Sequence, residues 1–189
     1  MKSDNTAFTY IGNNLAIDFL NTRIFDRDEE IELLNSPQEF YSWVNGAGLS
    51  IDDDIKSQDL SIILEFREAL SHVFTATLND RAIPSKALDI INKHLINHGV
   101  EQKLKRVQGR LEIHSVNTKM SQEQLLGHIA NEAALLLVSN KLEKLKKCAN
   151  PKCILLFIDT SKSGKRRWCS MDVCGNRAKA ASHYLNSKH

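Results

Sequence analysis

The sequence that decides the fold of the C-terminal region is CANPKCILLFIDTSKSGKRRWCSMDVC, residues 148–174. It holds all four cysteines of the chain, Cys148, Cys153, Cys169 and Cys174, spaced as C-x4-C-x15-C-x4-C. A structural zinc site takes four thiolates at the corners of a tetrahedron, and proteins commonly supply them as two closely spaced pairs. The spacing therefore predicts one structural Zn²⁺ ion bound by these four residues. Two disulfides and a redox cluster are the alternatives.

The charge of the chain is divided unevenly between this region and the rest. Residues 141–189 hold 12 Lys and Arg against 3 Asp and Glu, a net charge of +9, whereas residues 1–140 hold 13 against 20, a net charge of −7. A basic region on an otherwise acidic chain indicates a polyanionic partner. We therefore expect the C-terminal region to bind nucleic acid, with DNA as the first expectation and RNA as an alternative. A zinc-stabilised module that binds another protein is the first alternative.

The segments between and after the cysteines predict a treble-clef-like order of a knuckle, a hairpin and a helix. Residues 155–158 are apolar and predict a strand, residues 161–164 predict a turn, and residues 165–168 return to the third cysteine. Residues 175–177 are predicted to open a helix whose first turn offers backbone donors to anions. Because such a module has little core of its own, zinc binding is expected to supply most of its folding free energy.

The candidate phosphate-binding residues lie on the turn before the third cysteine and on the helix after the fourth. They are Lys165, Arg166, Arg167, Arg177 and Lys179. Contacts of this kind position a protein on nucleic acid without reading its sequence. Structural roles stay open for two residues: an ion pair of Arg177 with Asp159 or Asp172, and a core position of Trp168 in place of base stacking. Asn176 is expected to orient the thiolates or cap a helix rather than read a base.

The same residues closely resemble the CGNR zinc-finger family, over about residues 147–183. The resemblance is carried by CANPKC at 148–153, Phe157, DTS at 159–161, RRWCSM at 166–171 and CGNRAK at 174–179. Leu155 stands where the family usually has tryptophan, and the tail after Lys179 is less rich in arginine than is usual. The opening segment, residues 10–22, resembles the ABATE domain that usually precedes this finger. The resemblance implies a bacterial regulator of transcription in a stress response.

The first 140 residues predict a mainly α-helical domain with one small β-hairpin. Helices are predicted over residues 13–22, after a capping box at Ser36, over residues 59–79, after Pro84 with Ser85 as the cap, and after a second capping box at Ser121. The last of these is predicted to run directly to the first cysteine. Residues 103–116 predict the hairpin, with its turn at Gly109. Residues 27–30 and 52–54 predict charged loops.

No residue set predicts an enzyme. Four cysteines close the coordination shell of a zinc ion, whereas catalytic zinc keeps an open position. The nucleophile elbow, the P-loop and the dinucleotide-binding motif do not occur in the sequence. His94 and His98 share a helix face but lack the partners of a metal site. A small-molecule sensor or an enzyme in residues 1–140 is the second alternative, and neither an effector, a target sequence nor an oligomeric state follows from the sequence.

The hydropathy of the sequence indicates in which cellular compartment the protein is expected. No segment reaches the roughly 18 to 20 apolar residues that a membrane span requires, and the N-terminal residues lack the apolar stretch of a signal peptide. We therefore expect a cytoplasmic protein, in which cysteines bind metal rather than form disulfides. We predict two domains, residues 1–140 and residues 141–189, and rigid docking of the second because no Gly/Ser linker precedes it.

Overall fold

The computed structural model describes residues 8–26, 28–52, 59–99, 102–115 and 119–180. The chain forms two compact units, one from residues 34–134 and the other from residues 1–33 together with residues 135–189. The second unit therefore combines both ends of the chain. The predicted class is confirmed: the protein is mainly α-helical, its strands form small antiparallel pairs, and the four cysteines cluster near the C-terminus.

The elements follow one another along the chain as short strand pairs set between helices. In chain order they are α1 (Leu15–Leu20), β1 (Arg23–Asp26), β2 (Glu29–Glu32), α2 (Pro37–Gly46), α3 (Leu60–Leu78), α4 (Ser85–Leu95), β3 (Gln102–Val107), β4 (Arg110–Ser115), α5 (Gln122–Leu137), β5 (Leu145–Lys147) and β6 (Leu156–Ile158). A 3₁₀ turn at Asn140–Lys144 precedes β5. A π-helical turn at Met171–Gly175 continues as helix to residue 180.

The helix starts that the sequence predicted are formed by side-chain caps. The Oδ1 atom of Asn14 accepts from the first backbone N–H groups of α1, and the Ser36 hydroxyl accepts from the N–H of Glu39 at 3.3 Å. Ser121 and Gln124 make a reciprocal capping box at the start of α5. The predicted cap at Ser85 is wrong in detail, because α4 begins at Ser85 and Pro84 holds the N-cap position without a side-chain hydrogen bond.

The unit of residues 34–134 has an apolar core built from its helices. Its largest fully buried side chains are Trp43, Phe40, Phe66, Phe74, Leu34, Ile63, Leu70, Leu125 and Leu126. His94 is buried in this core with its ring 4.7 Å from that of Phe66, whereas His98 stacks on His128. The two histidines of the predicted shared face therefore pack against different partners. Among the described residues only the four cysteines form a group that could hold a metal ion.

Three local predictions are wrong. Residues 29–32 form a strand rather than a charged loop, paired with β1 across a turn where Asp28 has a φ of 71°; of the remaining acidic stretch, Asp53 and Asp54 lie outside the described residues. Helix α5 ends at Leu137 and does not reach Cys148. Strand β6 pairs with β5 and not with the segment before Cys169. In the two strand cases, β2 and β5 consist largely of charged residues, so hydropathy alone gave no strand signal.

None of the helices that the structure describes is long and apolar enough to span a membrane.

Candidate metal centre and nucleic-acid interface

The four cysteine sulfurs lie close enough together to hold one ion. All four Sγ atoms are within 4.8 Å of one another. The distance from Cys153 Sγ to Cys169 Sγ is 3.7 Å, and that from Cys169 Sγ to Cys174 Sγ is 3.6 Å. A tetrahedral ion with bonds of about 2.3 Å to sulfur requires edges of about 3.8 Å. The four thiolates therefore fit a tetrahedral metal site, and all four residues are buried.

Backbone hydrogen bonds form the knuckle that presents the first two cysteines. The N–H of Cys153 donates to the carbonyl of Asn150 at 3.0 Å, and the N–H of Cys148 donates to the carbonyl of Leu155 at 3.0 Å. The side chain of Asn150 accepts from the N–H of Lys152. These bonds fold the segment into a tight loop, which brings Cys148 and Cys153 to the same metal site. The predicted knuckle is therefore present.

Two hydrogen bonds to sulfur orient the ligands. Asn150 Nδ2 lies 3.5 Å from Cys174 Sγ, and the N–H of Cys169 donates to Cys148 Sγ at 3.4 Å. Donors of this kind favour thiolates over thiols and hold them in place. Asn176, which was predicted to orient the thiolates or to cap a helix, occupies the C-cap position of the Met171–Gly175 turn, where its side chain donates to the carbonyl of Asp172 at 3.1 Å. Asn150 is thus a site residue that was not predicted from the sequence. Its position between Cys148 and Cys153 was the signal that could have identified it.

The cysteine cluster has a small apolar core of its own. Phe157 is completely buried among the four cysteines, and Ile11, Leu155 and Trp168 pack against them. Trp168 therefore occupies the core position that was one of its two predicted roles. Ile11 comes from the N-terminal segment, so the metal site is walled in part by residues more than a hundred positions earlier in the chain.

A buried ion pair fixes the turn that carries the basic residues. Lys146 Nζ lies 2.7 Å from Asp159 Oδ2 and also donates to the carbonyl of Gly164 at 2.7 Å. Asp159 is 2% exposed, and it also accepts from Ser161 and from the N–H of Arg166. The bonds from Lys146 and Ser161 hold the pKa of the Asp159 carboxyl well below its usual range. A rigid turn over residues 161–164 results, with Gly164 at a φ of 61°.

Arg166 has its guanidinium group directed into the protein. This group donates to the backbone carbonyls of Trp168, Cys169 and Ile11. Its central carbon lies 4.2 Å from the centre of the Phe157 ring. The side chain thus joins the N-terminal segment to the loop that carries the third cysteine, a structural position that the sequence did not indicate.

Lys165 and Arg167, in contrast, are exposed on either side of Arg166. They line a surface depression of about 400 Å³ with Ser161, Ser163, Arg166, Trp168 and Met171. The guanidinium carbon of Arg167 lies 5.0 Å from the centre of the Trp168 ring. Cations, hydroxyl groups and an aromatic edge in one shallow depression are suited to a phosphate with an attached sugar or base.

The remaining two candidates lie on the last helix. Arg177 and Lys179 are exposed, and Arg177 lies 3.9 Å from Asp26 rather than beside Asp159 or Asp172. This helix begins at Met171, capped by the Ser170 hydroxyl. The α-helical residues 176–180 thus begin where the sequence predicted a helix, but a π-helical turn at Met171–Gly175 precedes them. His183, which the sequence placed on this helix, lies outside the described residues.

The N-terminal segment completes the edge of β6. The side-chain amide of Asn21 donates to the carbonyl of Leu156 at 2.9 Å and accepts from its N–H at 3.0 Å. Asn13 Nδ2 donates to the carbonyl of Ile158 at 2.8 Å, and the N–H of Ile158 donates to the carbonyl of Gly12 at 2.9 Å. Residues 12–21 therefore take the place of a neighbouring strand for the finger.

Gly12 is required by close packing at this edge. A Cβ atom there would lie 2.6 Å from Ile17 Cγ2 and 3.0 Å from Asp18 Oδ1. The N–H of Gly12 donates to Asp18 Oδ1 at 2.7 Å. Burial raises the pKa of the Asp18 carboxyl to about 6, against two backbone N–H groups that lower it.

A second cavity, of about 290 Å³, lies beside the metal site. Its walls are Thr9, Ile11, Ile24, Phe25, Asp26, Lys152, Cys153, Leu155, Cys169, Ser170, Val173, Cys174 and Arg177. Ion pairs of Lys152 with Asp28 and of Arg177 with Asp26 lie on its polar side. Strand β1, through Asp26, and the turn that follows it, through Asp28, thus each form an ion pair with the finger.

Comparison with known families agrees with the two regions of the sequence. Residues 13–140 match the ABATE family model, described as "Putative stress-induced transcription regulator". Residues 144–186 match the model of the CGNR zinc finger. No curated protein matches the sequence. The two matches meet near residue 140, whereas packing joins residues 1–33 to the finger.

Proposed function

Because the chain belongs to the ABATE family and ends in a CGNR zinc finger, we propose that it is a transcription regulator whose finger folds around one Zn²⁺ ion and binds duplex DNA. The observation that supports DNA binding best is the group of exposed cations on a rigid finger. Lys165, Arg167, Arg177 and Lys179 are all exposed, and the first two line one depression with Trp168. A turn whose backbone is already held by hydrogen bonds loses little loop entropy when its cations bind phosphate.

The donor set favours zinc over other metals. Four sulfur ligands at tetrahedral distances suit Zn²⁺ or iron, and a closed shell of four cysteines is typical of a structural zinc site. Bound zinc would supply folding free energy and cross-link the two cysteine pairs. Asn150 and the N–H of Cys169 would keep the thiolates oriented toward the ion. Metal analysis of freshly purified, untagged protein is expected to find one equivalent of zinc.

Charge balance leaves the finger region positive after the metal is bound. Four thiolates and one Zn²⁺ ion add a charge of −2, so the +9 of residues 141–189 falls to about +7. Phosphate contacts supply most of the affinity of nonspecific DNA binding, and they weaken steeply as salt rises. Such a finger is expected to bind duplexes of any sequence at low salt, with a target sequence read by further contacts.

Charge-neutralising variants of the exposed cations test the proposal. Lys165→Gln with Arg167→Gln removes two cations from the depression and leaves the inward-facing Arg166 in place. We expect about a tenfold or greater loss of affinity for random duplex in 0.1 M salt, because each lost phosphate contact reduces counterion release. The matched control is Lys86→Gln with Lys93→Gln, which removes two exposed cations from α4.

The protein-interaction alternative gives a different outcome in the same experiment. If the finger binds another protein and not DNA, the wild type shows no binding to duplex at low salt. Equal affinities of the wild type, the finger variant and the α4 control would likewise refute DNA binding by the finger. Circular dichroism and zinc content of each variant exclude unfolding as the cause of a loss.

A further inference from the structure

The hairpin of β3 and β4 carries a cluster of positive charge on the acidic part of the chain. Residues 102–115 contain four basic residues, Lys103, Lys105, Arg106 and Arg110, and one acidic residue, Glu112. Residues 1–140 without this hairpin hold 9 basic and 19 acidic residues, a net charge of −10. The hairpin therefore has a net charge of +3 within an otherwise acidic part of the sequence, and its basic residues belong to no catalytic or metal-binding set described above.

The register of the hairpin sorts these residues onto two faces. Lys103 is opposite His114, Lys105 is opposite Glu112, and Val107 is opposite Arg110. Alternate residues of a strand share a face, so Lys103, Lys105 and Arg110 lie on one face. All three are exposed.

The other face carries three aliphatic side chains that are equally open to solvent. Leu104 is directly opposite Ile113, and Leu104, Leu111 and Ile113 are 67%, 67% and 66% exposed. Arg106 lies on this face beside Leu111. A two-stranded ribbon has no buried side of its own, and exposed aliphatic side chains on it indicate a surface that binds something.

Tight turn geometry makes the ribbon a defined element. Gln108 and Gly109 have φ values of 48° and 82°. Two consecutive residues with positive φ are typical of the two-residue turn whose twist matches that of paired strands. The register runs without a break from the Val107–Arg110 pair to the Gln102–Ser115 pair. The six pairs form a ribbon about 20 Å long by the usual rise per residue.

We propose that the β3–β4 ribbon is a second nucleic-acid contact, which binds the phosphate backbone and a groove of duplex DNA. A groove of duplex DNA is wide enough to admit a two-stranded ribbon. Lys103, Lys105 and Arg110 bind phosphates, while Leu104, Leu111 and Ile113 meet the apolar sugar and base edges, as ribbon arms and apolar wedges do elsewhere. The inference rests on the ribbon alone and stands whether or not the finger binds DNA.

Charge selects DNA over a second copy of the chain as the occupant. Pairing two copies through the apolar faces would bring two ribbons of +3 together, and like charges repel. Three aliphatic side chains also provide only a fraction of the roughly 800 Å² per partner that a stable protein interface buries. Duplex DNA, in contrast, offers phosphates to the basic residues and apolar sugar and base edges to the aliphatic side chains.

The test uses the full-length chain and fluorescently labelled random duplex. Lys103→Gln, Lys105→Gln and Arg110→Gln are combined; glutamine is chosen because glutamate at position 105 would face Glu112 across the ribbon. The control combines Arg81→Gln, Lys86→Gln and Lys93→Gln, which removes the same charges from exposed positions in or near α4. We expect the ribbon variant to reduce the slope of log K against log salt by about 2 to 3 and the control to leave it within 1 of wild type.

The outcomes separate this proposal from the one for the finger. Loss of affinity in the ribbon variant with an unchanged finger variant supports the ribbon and contradicts the finger. If the finger variant loses affinity for duplex while the ribbon variant binds as tightly as the control variant, DNA binding by the ribbon is contradicted and DNA binding by the finger is supported. If Leu104→Ser with Ile113→Ser turns a dimer into a monomer while the ribbon variant binds duplex like wild type, the ribbon is an interface between copies and the proposal is wrong.

Discussion

The side-chain amide of Asn21 pairs with both backbone polar groups of Leu156, with donor–acceptor distances of 2.9 and 3.0 Å. The two residues are 135 positions apart in sequence. A side chain thus makes the two bonds that a neighbouring strand would make with β6. The finger is therefore completed by the N-terminal segment and shares one compact unit with it.

Replacement of Asn21 is expected to loosen the finger without removing a metal ligand. Asn21→Ala leaves the N–H and the carbonyl of Leu156 unpaired at a largely buried edge, which costs on the order of 2 to 4 kcal/mol for two groups. Denaturant unfolding should show this loss, and zinc should transfer to a chelator faster than from wild type. Asn45→Ala, at an exposed position of α2, is the control. Equal zinc transfer from the two variants would show that the Asn21 pairing does not support the finger.

Substitutions of Arg166 and Arg167 should have separate effects, the first on stability and the second on DNA binding. Arg166→Gln removes bonds to three backbone carbonyls, so we expect a loss of about 2 to 3 kcal/mol in unfolding free energy. Arg167→Gln at an exposed position should change stability by less than about 0.5 kcal/mol but weaken duplex binding. Thermal unfolding and anisotropy titration measure the two effects. A destabilised Arg167 variant together with an unchanged Arg166 variant would contradict the roles assigned to them.

Asp18 is expected to make stability depend on pH. Its pKa of about 6 in the folded protein lies above the usual 3.8, so the folded state holds the proton more tightly than the unfolded state. The stabilisation is full below the unfolded pKa and is lost as pH rises through about 6, by up to about 2 to 3 kcal/mol. Compared with wild type, Asp18→Asn should show less decline between pH 4 and 6.5. Asp89→Asn, on an exposed part of α4, should follow wild type; parallel curves for all three proteins would rule out a titrating Asp18.

Removal of the metal should affect the two compact units differently. The helices of residues 34–134 have their own core of Phe40, Trp43, Phe66 and other buried side chains. We expect chelation to abolish hydrogen-exchange protection in peptides from residues 8–33 and 145–175, while peptides from α3 keep theirs. Loss of protection in α3 at the same chelator concentration would mean that the whole chain folds with the metal.

The sequence was informative where the signals are local. The ligand spacing, the Ser36 cap, the capping box at Ser121 and the turn at Gly109 each depend on residues a few positions apart, and all are present in the structure; at Ser36 the Glu39 side chain accepts from the N–H of Asn35. Strands β1, β2 and β5 were missed because charged residues make up much of them. Their apolar residues are recognised as strand positions only when the partner strand is known, as for Ile24, which lies opposite Ile31.

Long-range packing explains the rest of the differences. The three arginine and lysine residues at positions 165–167 look alike in sequence, and only the folded chain shows that Arg166 reaches the carbonyl of Ile11. The role of Lys146 likewise depends on Asp159 and Gly164, which lie 13 and 18 positions away. Such contacts have no periodic signal, so neither residue could be assigned its place from hydropathy or spacing.

If the exposed finger cations bind the phosphates of duplex DNA, the affinity must depend steeply on salt. A chain with the β3–β4 ribbon neutralised keeps the finger cations, of which Lys165, Arg167, Arg177 and Lys179 are expected to contact phosphates. Four phosphate contacts predict a slope of log K against log salt of about −3 to −4. A further change of Lys165→Gln and Arg167→Gln should bring the slope to about −2. Absence of binding at low salt, or a slope that these two substitutions leave unchanged, would contradict the account.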